Sequence, residues 1–410
     1  MNEYVSNEGE PVIVAGAGPI GMTAALALHA RGVPTEILEK DPKDRERPGS
    51  RAIYVHGTTL QTLEKNSPGL GKRLAEEGLV WPTRRTLWRG KEVFSRTYSN
   101  PGGSGELPHF TSLPQVETER FMLESLKEIG VDIHWNTPVE KVETSPNGVR
   151  VESEDGEVWE TPYVVGADGA GSAVRKQIGA EFEGDQSENS FVIADIEEHP
   201  ENPRSPERIF HYDAPELDGR NVLLVPFQGG WRVDIQCKES DDPERLASDE
   251  NISDMVATVL GERYRDRVTW VSTYQFKQVT ADRFTDDHRR VLLAGEAAHL
   301  FAPFGARGMN SGIADADASA SAIAVAMRAK IDDVAQAEIK ECAMRRKKAA
   351  EWNKNAAGQA LEYLQGDSIK TKAKKRIAAN LADYWERAGE WLDDAPYGPH
   401  GSPPTSVGQY

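Results

Sequence analysis

The feature that most constrains this chain is a glycine-rich turn between an apolar strand and an alanine-rich helix. The run from Val12 to Leu28 reads Val-Ile-Val-Ala-Gly-Ala-Gly-Pro-Ile-Gly-Met-Thr-Ala-Ala-Leu-Ala-Leu. In such a run Gly16 allows the tight turn, Gly18 lets backbone N–H groups approach a pyrophosphate, and Gly21 lets the helix pack on the strand. Because the positive end of the helix then faces the anion, the run predicts a nucleotide-binding cradle.

A second strand strengthens this prediction, since a glycine turn alone is weak evidence. The segment Thr35–Glu39 follows at the expected spacing and ends in an acid. The carboxylate can accept hydrogen bonds from ribose hydroxyls, and its charge would repel a 2′-phosphate. The alternative is a glycine turn without a ligand. We favour an adenosine diphosphate group held through its ribose, as in FAD or NAD, and assign to this site Gly16, Gly18, Pro19, Ile20, Gly21, Glu39 and Lys40.

Composition excludes several other classes of function. The formal net charge of −18 argues against nucleic acid or an anionic membrane as the main partner. The chain has only Cys237 and Cys342, and its histidines lack ligand-like spacing, so neither a disulfide framework nor a metal site is expected. The N-terminal segment is polar, and the sequence contains no apolar run of about eighteen residues. These observations predict a cytoplasmic protein that does not enter membranes.

Changes in pattern along the chain suggest three parts. Short alternating runs and the break Asn100-Pro-Gly-Gly-Ser-Gly interrupt the first part, and strands dominate between about 181 and 280. Helical patterns then dominate beyond residue 330. We predict a discontinuous nucleotide-binding domain of residues 1–82, 113–180 and 281–330, a mostly antiparallel β-sheet domain of residues 83–112 and 181–280, and a C-terminal helical segment with an irregular tail, residues 331–410.

Two more strand ends carry glycine and an acid. The run Tyr163-Val-Val-Gly-Ala-Asp ends in Asp168, and the run Arg290-Val-Leu-Leu-Ala-Gly-Glu ends in Glu296. In an open parallel sheet such strand ends meet at the edge where ligands bind. Together with Gly16 they indicate a long dinucleotide.

In this order the motifs resemble those of the FAD-dependent aromatic hydroxylases, the single-component flavoprotein monooxygenases typified by p-hydroxybenzoate hydroxylase. The resemblance covers about residues 10–330. It rests on the glycine turn with Glu39, Gly49-Ser-Arg-Ala, Gln115 before a helix, Gly166-Ala-Asp-Gly, Gly295-Glu-Ala-Ala-His and Gly308-Met-Asn. It implies an α/β fold with a Rossmann-like FAD-binding domain, a mostly antiparallel substrate-binding sheet and C-terminal helices.

The resemblance also implies roles for residues outside the first turn. Arg51 would pair with the pyrophosphate, Gln115 would bind the sugar or ribityl part of FAD, and the Val139 backbone would contact adenine. Asp168 would serve both FAD and the nicotinamide donor. A surface position for Arg51 and a simple helix cap for Asp168 remain alternatives.

The segment after Glu296 bears most on chemistry. Backbone N–H groups of Gly308, Met309 and Asn310 at a helix start would stabilise negative charge on the reduced flavin. By resemblance, the backbone of Pro303 and Gly305 lies beside the flavin and the substrate.

Two departures from the family pattern concern the same region. Glu296 replaces the usual aspartate, and Ala306 and Arg307 replace glycine and glutamine. The Arg307 cation is expected to raise the flavin potential or to bind an anionic substrate group, unless it turns to solvent.

The implied function is an FAD-dependent monooxygenase. It would use NADH or NADPH and O₂ to hydroxylate a phenolic or related aromatic molecule through a flavin C4a-hydroperoxide, as a monomer or homodimer. An FAD-dependent reductase of the geranylgeranyl reductase type and a non-catalytic flavin-binding protein remain alternatives.

The substrate pocket is expected on the sheet of residues 181–280. Tyr212 and Arg232 are the candidates for binding a phenolate or carboxylate, although an aromatic side chain there is more often part of the core. The further pocket candidates on these strands are Phe210, Leu224, Pro226 and Asp234.

Overall fold

A computed structural model describes residues 9–366 and 368–398. Most of the predicted irregular tail lies outside these residues, as does most of the polar N-terminal segment. The strands are β1 Val12–Ala15, β2 Thr35–Glu39, β3 Tyr54–His56, β4 Thr83–Trp88, β5 Lys91–Thr97, β6 Phe110–Ser112, β7 Asp132–Trp135, β8 Val139–Ser145, β9 Gly148–Ser153, β10 Val158–Thr161, β11 Val164–Gly166, β12 Phe182–Glu197, β13 Glu207–Ala214, β14 Arg220–Phe227, β15 Gly230–Gln236, β16 Val268–Ala281, β17 Val291–Leu293 and β18 His299–Leu300.

The helices alternate with these strands in the first part of the chain and follow them in the last. They are α1 Pro19–His29, α2 Gly57–Asn66, α3 Leu70–Glu77, α4 Gln115–Ile129, α5 Ala173–Gln177, α6 Pro243–Leu246, α7 Asp249–Leu260, α8 Arg307–Arg328, α9 Asp332–Gln365, α10 Ile369–Leu381 and α11 Glu386–Asp394. Within the described ranges, no helix is both long and apolar enough to cross a bilayer.

A five-stranded parallel sheet contains the predicted nucleotide-binding strands. Its order is β17-β11-β1-β2-β7, and all its pairs are parallel. The ends of β1, β11 and β17 therefore lie next to one another, as the three glycine-and-acid strand ends require. Val12, Ile13 and Val14 are fully buried, because α1 covers one face of this strand and further helices cover the sheet.

An eight-stranded sheet forms the second layer, in the order β18-β16-β12-β15-β14-β13-β4-β5. Most of its pairs are antiparallel, but β4 runs parallel to β13. The sheet includes strands from both predicted parts, residues 83–97 and 182–281. In contrast, β6 pairs with β3 in a separate ribbon. The mixed α/β fold with a mostly antiparallel second sheet is confirmed, while the division into domains stays a prediction.

The two faces of the eight-stranded sheet differ in what covers them. On one face Val192, Val233 and Ile235 are fully buried in a cluster that includes side chains of α7. On the other face Phe191 and Phe210 belong to a cluster that includes Phe304 and residues of α9, α10 and α11. The C-terminal helices therefore pack on the same face as the loop that precedes α8.

The start of α8 lies before the alanine-rich part of its sequence. The alanine-rich pattern alone predicts a helix from Ala314, whereas α8 begins at Arg307, in agreement with the helix start that the resemblance implies at Gly308. A Cβ at Gly312 would lie 2.5 Å from Ile20 Cγ1, so close helix packing explains this glycine inside the helix.

Candidate active site

The three glycines of the first turn have different surroundings. Gly16 has a φ of 102°, and a Cβ there would lie 2.5 Å from the Ala167 carbonyl oxygen. A Cβ at Gly21 would overlap the carbonyl oxygen of Gly16. A Cβ at Gly18 would meet no described atom within 4 Å, so this glycine borders open space. Two glycines thus shape the turn, and the middle one leaves room for a ligand.

The start of α1 has the form of an anion site. Pro19 is its first residue, where the missing N–H leaves no bond unmade. Among the described residues, no side chain caps this helix at Gly18. The Ile20 side chain packs between Gly295 and Gly312, so it fixes α1 against the end of β17 and against α8. The Ile20 side chain thus has a packing role, and its contact with a cofactor stays a prediction.

Glu39 ends β2 as a buried carboxylate. It accepts hydrogen bonds from Ala17 N–H at 2.5 Å and from Asp41 N–H at 3.0 Å. Arg45 lies 2.9 Å from the carboxylate and donates to the Ala17 carbonyl at 2.8 Å. Burial raises the pKa of Glu39, but these N–H groups and Arg45 outweigh it, so the pKa lies below its usual value. The group is therefore ionised at neutral pH.

Arg45, which also lies over the Trp135 ring at 5.4 Å, was not predicted from the sequence. The available signal was weak, because the residue stands in a charged loop that reads as solvated surface. Lys40, next to Glu39, is exposed.

A buried charge network, which was also not predicted from the sequence, supports the Gly295–Glu296 turn. Asp315 on α8 accepts a hydrogen bond from Gly295 N–H at 3.1 Å. The same carboxylate lies 2.6 Å from His299 Nε2 and 2.6 Å from Arg346 Nε on α9. Burial raises the pKa of Asp315, but the opposite effect of Arg346 and His299 is larger, so the pKa lies below its usual value. An acid on the apolar face of an alanine-rich helix was the signal for this network.

The start of α8 is a second open helix terminus. Ala306 has a φ of 51°, and within the described chain no side chain caps the helix at this residue. A Cβ at Gly308 would meet no described atom within 4 Å. Met309 is buried, and the Asn310 amide donates to Tyr54 and Ala306 carbonyls and accepts from His56 N–H. The backbone at Gly308 therefore borders open space, while the Asn310 side chain ties α8 to β3.

Arg307 lies against the C-terminal helices. Its guanidinium donates to Asn353 Oδ1 at 3.1 Å and to the Tyr397 carbonyl at 3.2 Å, and lies 5.0 Å from the Trp352 ring centroid. In the preceding loop Pro303 is exposed, and Gly305 has a φ of 78°. The arginine is half-buried among these contacts and does not turn fully to solvent. Its predicted influence on the flavin stays a prediction.

The other sequence-predicted cofactor residues are spread around the same edge. Arg51 is exposed, as is Glu296, and Val139 begins β8 half-buried. The Gln115 amide donates to Glu119 at 2.7 Å.

Both carboxylate oxygens of Asp168 serve the start of α5. They accept hydrogen bonds from the Ser172 hydroxyl and from Val174 N–H. The contacts of Asp168 are therefore those of a helix cap, which was the alternative to a cofactor role. Its role toward FAD stays a prediction.

The two predicted substrate-binding side chains already have partners. The Tyr212 hydroxyl donates to the Leu392 carbonyl at 2.8 Å, and the ring is fully buried. Arg232 lies 3.2 Å from Asp195 and also donates to the Ser50 hydroxyl and the Arg51 carbonyl. These contacts agree with the alternative that Tyr212 is part of the core. Arg232 connects β15 to the loop that contains Ser50 and Arg51.

The remaining pocket candidates divide between the two faces of the sheet. Leu224 belongs to the cluster beneath α7, on the face away from Phe304. It therefore does not share the face of Phe210, which the sequence could not decide because strand register was unknown. Asp234 alternates with buried Val233 and Ile235, so it lies on the face of Phe304.

Comparison with known proteins agrees with this geometry. A profile of the family described as "FAD binding domain" matches residues 10–352. The chain belongs to this family. Its cofactor is FAD, and the resemblance to the FAD-dependent hydroxylases is confirmed.

Similar curated proteins include 6-methylpretetramide 4-monooxygenase from Streptomyces rimosus, 32% identical over 323 residues, which are 75% of this chain and 54% of that protein. Dialkyldecalin synthase from Streptomyces rugosporus is 29% identical over 311 residues, 75% of this chain and 63% of that protein. The chain thus spans between about half and two thirds of the length of these relatives.

Among solved structures, p-nitrophenol 4-monooxygenase from Pseudomonas putida DLL-E4 has a similar fold. It aligns with a TM-score of 0.77 at 22% identity and covers 96% of this chain and 99% of that one. At this identity the similarity concerns the fold.

The residues present fit an FAD molecule. The two open glycine positions, Gly18 and Gly308, stand at the starts of two helices, α1 and α8, which pack against each other through Ile20. The buried Glu39 carboxylate lies beside the first of them. A pyrophosphate suits the start of α1, a ribose suits Glu39, and an electron-rich ring edge suits the start of α8.

Proposed function

We propose that this protein is an FAD-dependent monooxygenase that hydroxylates a phenolic or related aromatic small molecule with NAD(P)H and O₂. In the balanced reaction one oxygen atom of O₂ enters the aromatic product and the other leaves as water, while NAD(P)H supplies two electrons. Bound FAD supplies the chemistry that accepts these electrons and activates O₂. The protein supplies binding, orientation and exclusion of water.

The observation that carries the proposal is the loop between β18 and α8. Phe304 in this loop packs against Phe191 and Phe276 on the eight-stranded sheet, with ring centroids 5.7 Å apart in both cases. Four residues later, Gly308 borders open space at the start of α8. A flavin edge at this helix start would therefore lie beside the sheet face, where an aromatic substrate can approach it.

Different residues would bind the different parts of FAD. Glu39 would accept the ribose hydrogen bonds, the α1 start with Arg51 would hold the pyrophosphate, and Gln115 and Asp168 would contact the sugar-like part of FAD. Backbone N–H groups at Gly308 and Met309 would stabilise negative charge on the reduced ring. These assignments are supported by the family resemblance and by the open space at the glycines.

A product analysis tests the proposal. The FAD-loaded protein is incubated with NADH or NADPH, a panel of phenols and heteroaromatics, and ¹⁸O₂, and the products are analysed by mass spectrometry. Hydroxylated product that carries the label, with oxygen uptake matching product, is expected. Alkene reduction without oxygen would favour a reductase. Absence of donor oxidation would favour a flavin protein without redox turnover, a meaningful outcome because one relative is named a synthase.

The localisation, the partners and the oligomeric state belong to the same proposal. We infer a cytoplasmic protein whose partners are the aromatic substrate, O₂ and a transiently bound nicotinamide donor. A monomer or homodimer is proposed, and size-exclusion chromatography with light scattering measures which form exists.

A further inference from the structure

One oxygen of a half-buried carboxylate on the substrate-facing side of the sheet has no hydrogen-bond partner. Asp234 on β15 accepts no hydrogen bond within the described part of the chain, and its Oδ1 is shielded from solvent. A shielded carboxylate oxygen without a hydrogen bond is rare, because its lost hydration is not replaced by protein hydrogen bonds.

The position of Asp234 places it between the two loops assigned to FAD. Two residues before it, Arg232 bonds to Ser50 and to the Arg51 carbonyl. In the next row of side chains along the sheet, Phe191 packs against Phe304 from the loop before α8. Asp234 therefore lies where the sheet face meets both cofactor loops.

The protein does not cover this part of the face completely. Ile193 and Leu223, which pair with Asp234 from the two neighbouring strands, are only partly buried. On the opposite face Val192 and Val233 are fully buried beneath α7. An aromatic ring could therefore lie on Ile193 and Leu223 with a polar group directed to the carboxylate.

The neighbouring charges favour a hydrogen-bond donor as ligand. Arg232, the cation beside Asp234, is already paired with Asp195 and bonded to the Ser50–Arg51 loop. Burial raises the pKa of Asp234 to about 6, with Arg232 lowering it and Asp195 raising it, so the group is mostly ionised at neutral pH. An anionic substrate group would meet an unpaired carboxylate, whereas a neutral hydroxyl would satisfy it.

We propose that Asp234 binds the substrate by accepting a hydrogen bond from its neutral phenolic hydroxyl, and so selects hydroxyl-bearing aromatics over their methyl ethers and over aromatic acids. This inference rests on the proposed function for the identity of the ligand as an aromatic molecule. It differs from the sequence prediction, in which Tyr212 and Arg232 bind an anionic group.

Equilibrium binding to the oxidised FAD-loaded protein tests the proposal. The probes are pairs of a phenol and its methyl ether, from phenol and anisole to polycyclic pairs, with the matching benzoic acids, measured by equilibrium dialysis at pH 7.5. Wild-type protein is expected to bind the phenol of a pair about ten- to hundredfold more tightly than the ether, because the ether leaves a charged acceptor unpaired. Asp234→Ala and Asp234→Leu should abolish this preference. Asp218→Asn, at an exposed carboxylate, should retain it.

The outcomes separate the inference from the proposed function. A phenol preference that persists in both Asp234 variants, an absent preference in wild type, or failure of every probe to bind would overturn the role of Asp234. If binding depends on Asp234 but no probe is hydroxylated with NAD(P)H and O₂, the inference stands and the proposed function fails. If labelled product forms while the Asp234 variants bind the probes like wild type, the proposed function stands and the inference about Asp234 fails.

Discussion

Glu39 and Arg45 form an ion pair of 2.9 Å at the end of β2, and Arg45 also holds the carbonyl of Ala17 in the glycine turn. The carboxylate is thus fixed by protein groups on one side. A carboxylate has about four acceptor positions, and Ala17, Asp41 and Arg45 occupy three, so one hydrogen bond from a ribose can be added without displacing Arg45. This arrangement preorganises the acid for the nucleotide.

Replacing Glu39 with alanine is expected to weaken FAD binding about ten- to hundredfold, because hydrogen bonds to a charged acceptor are lost. The dissociation constant is measured by titrating the FAD-free protein and following flavin fluorescence. Glu39→Gln keeps one acceptor oxygen and should lose less. Glu36→Ala serves as the control on the same strand, since that carboxylate pairs with His134 instead. Equal FAD affinity in wild type and Glu39→Ala would contradict the ribose assignment.

The open space at Gly18 predicts a separation between folding and cofactor binding. Gly18→Ala should fold with nearly unchanged stability but bind FAD more weakly, because the added methyl group occupies space that the pyrophosphate needs. Gly21→Ala should instead lose several kcal/mol of unfolding free energy, because its methyl group overlaps the Gly16 carbonyl. Denaturant unfolding and FAD titration of both variants make the comparison. Tight FAD binding by a folded Gly18→Ala protein would place the pyrophosphate elsewhere.

The contacts of Arg307 predict an anchoring role for its side chain. Removing it in Arg307→Ala should lower the unfolding free energy by about 1–3 kcal/mol, because the bonds to Asn353 and Tyr397 are lost in a partly buried site. The potential of the bound flavin should change little. Redox titration of the FAD-loaded variant, beside urea unfolding, measures both. A large shift in potential with unchanged stability would restore the position beside the flavin that the sequence suggests.

Local patterns predicted the nucleotide-binding half of this fold well. The glycine turn, the acid at the end of β2 and the neighbouring strand ends each depend on a few consecutive residues, so their geometry is encoded locally. Side-chain contacts between residues far apart in the sequence could not be predicted from local patterns. Asp315 meets Arg346 on another helix, and Arg307 meets Asn353 and Tyr397. Which strand face carries Leu224 or Asp234 depends on the register of the sheet, which alternation alone leaves open.

The network around Asp315 provides a prediction for pH dependence. Asp315→Asn should lower the unfolding free energy at neutral pH by about 3–5 kcal/mol, because Arg346 would keep a buried charge without its carboxylate. The folded-state pKa of Asp315 lies below its ordinary value of 3.8, so the carboxylate stabilises the fold above that pH. This contribution is lost as the pH falls through the lowered pKa.

The difference between wild type and Asp315→Asn should therefore be largest near neutrality and shrink below about pH 4. Urea unfolding over this pH range measures it. Asp317→Asn is the matched control two residues along α8, because Asp317 pairs with Arg31 and Lys65 in a more exposed position and should cost less. Asp315 also accepts a hydrogen bond from Gly295 N–H. The Asp315→Asn protein should therefore release FAD more readily than the Asp317→Asn protein when both are compared under conditions of equal unfolding free energy. A pH-independent difference would show that the Asp315 carboxylate is not the stabilising charge.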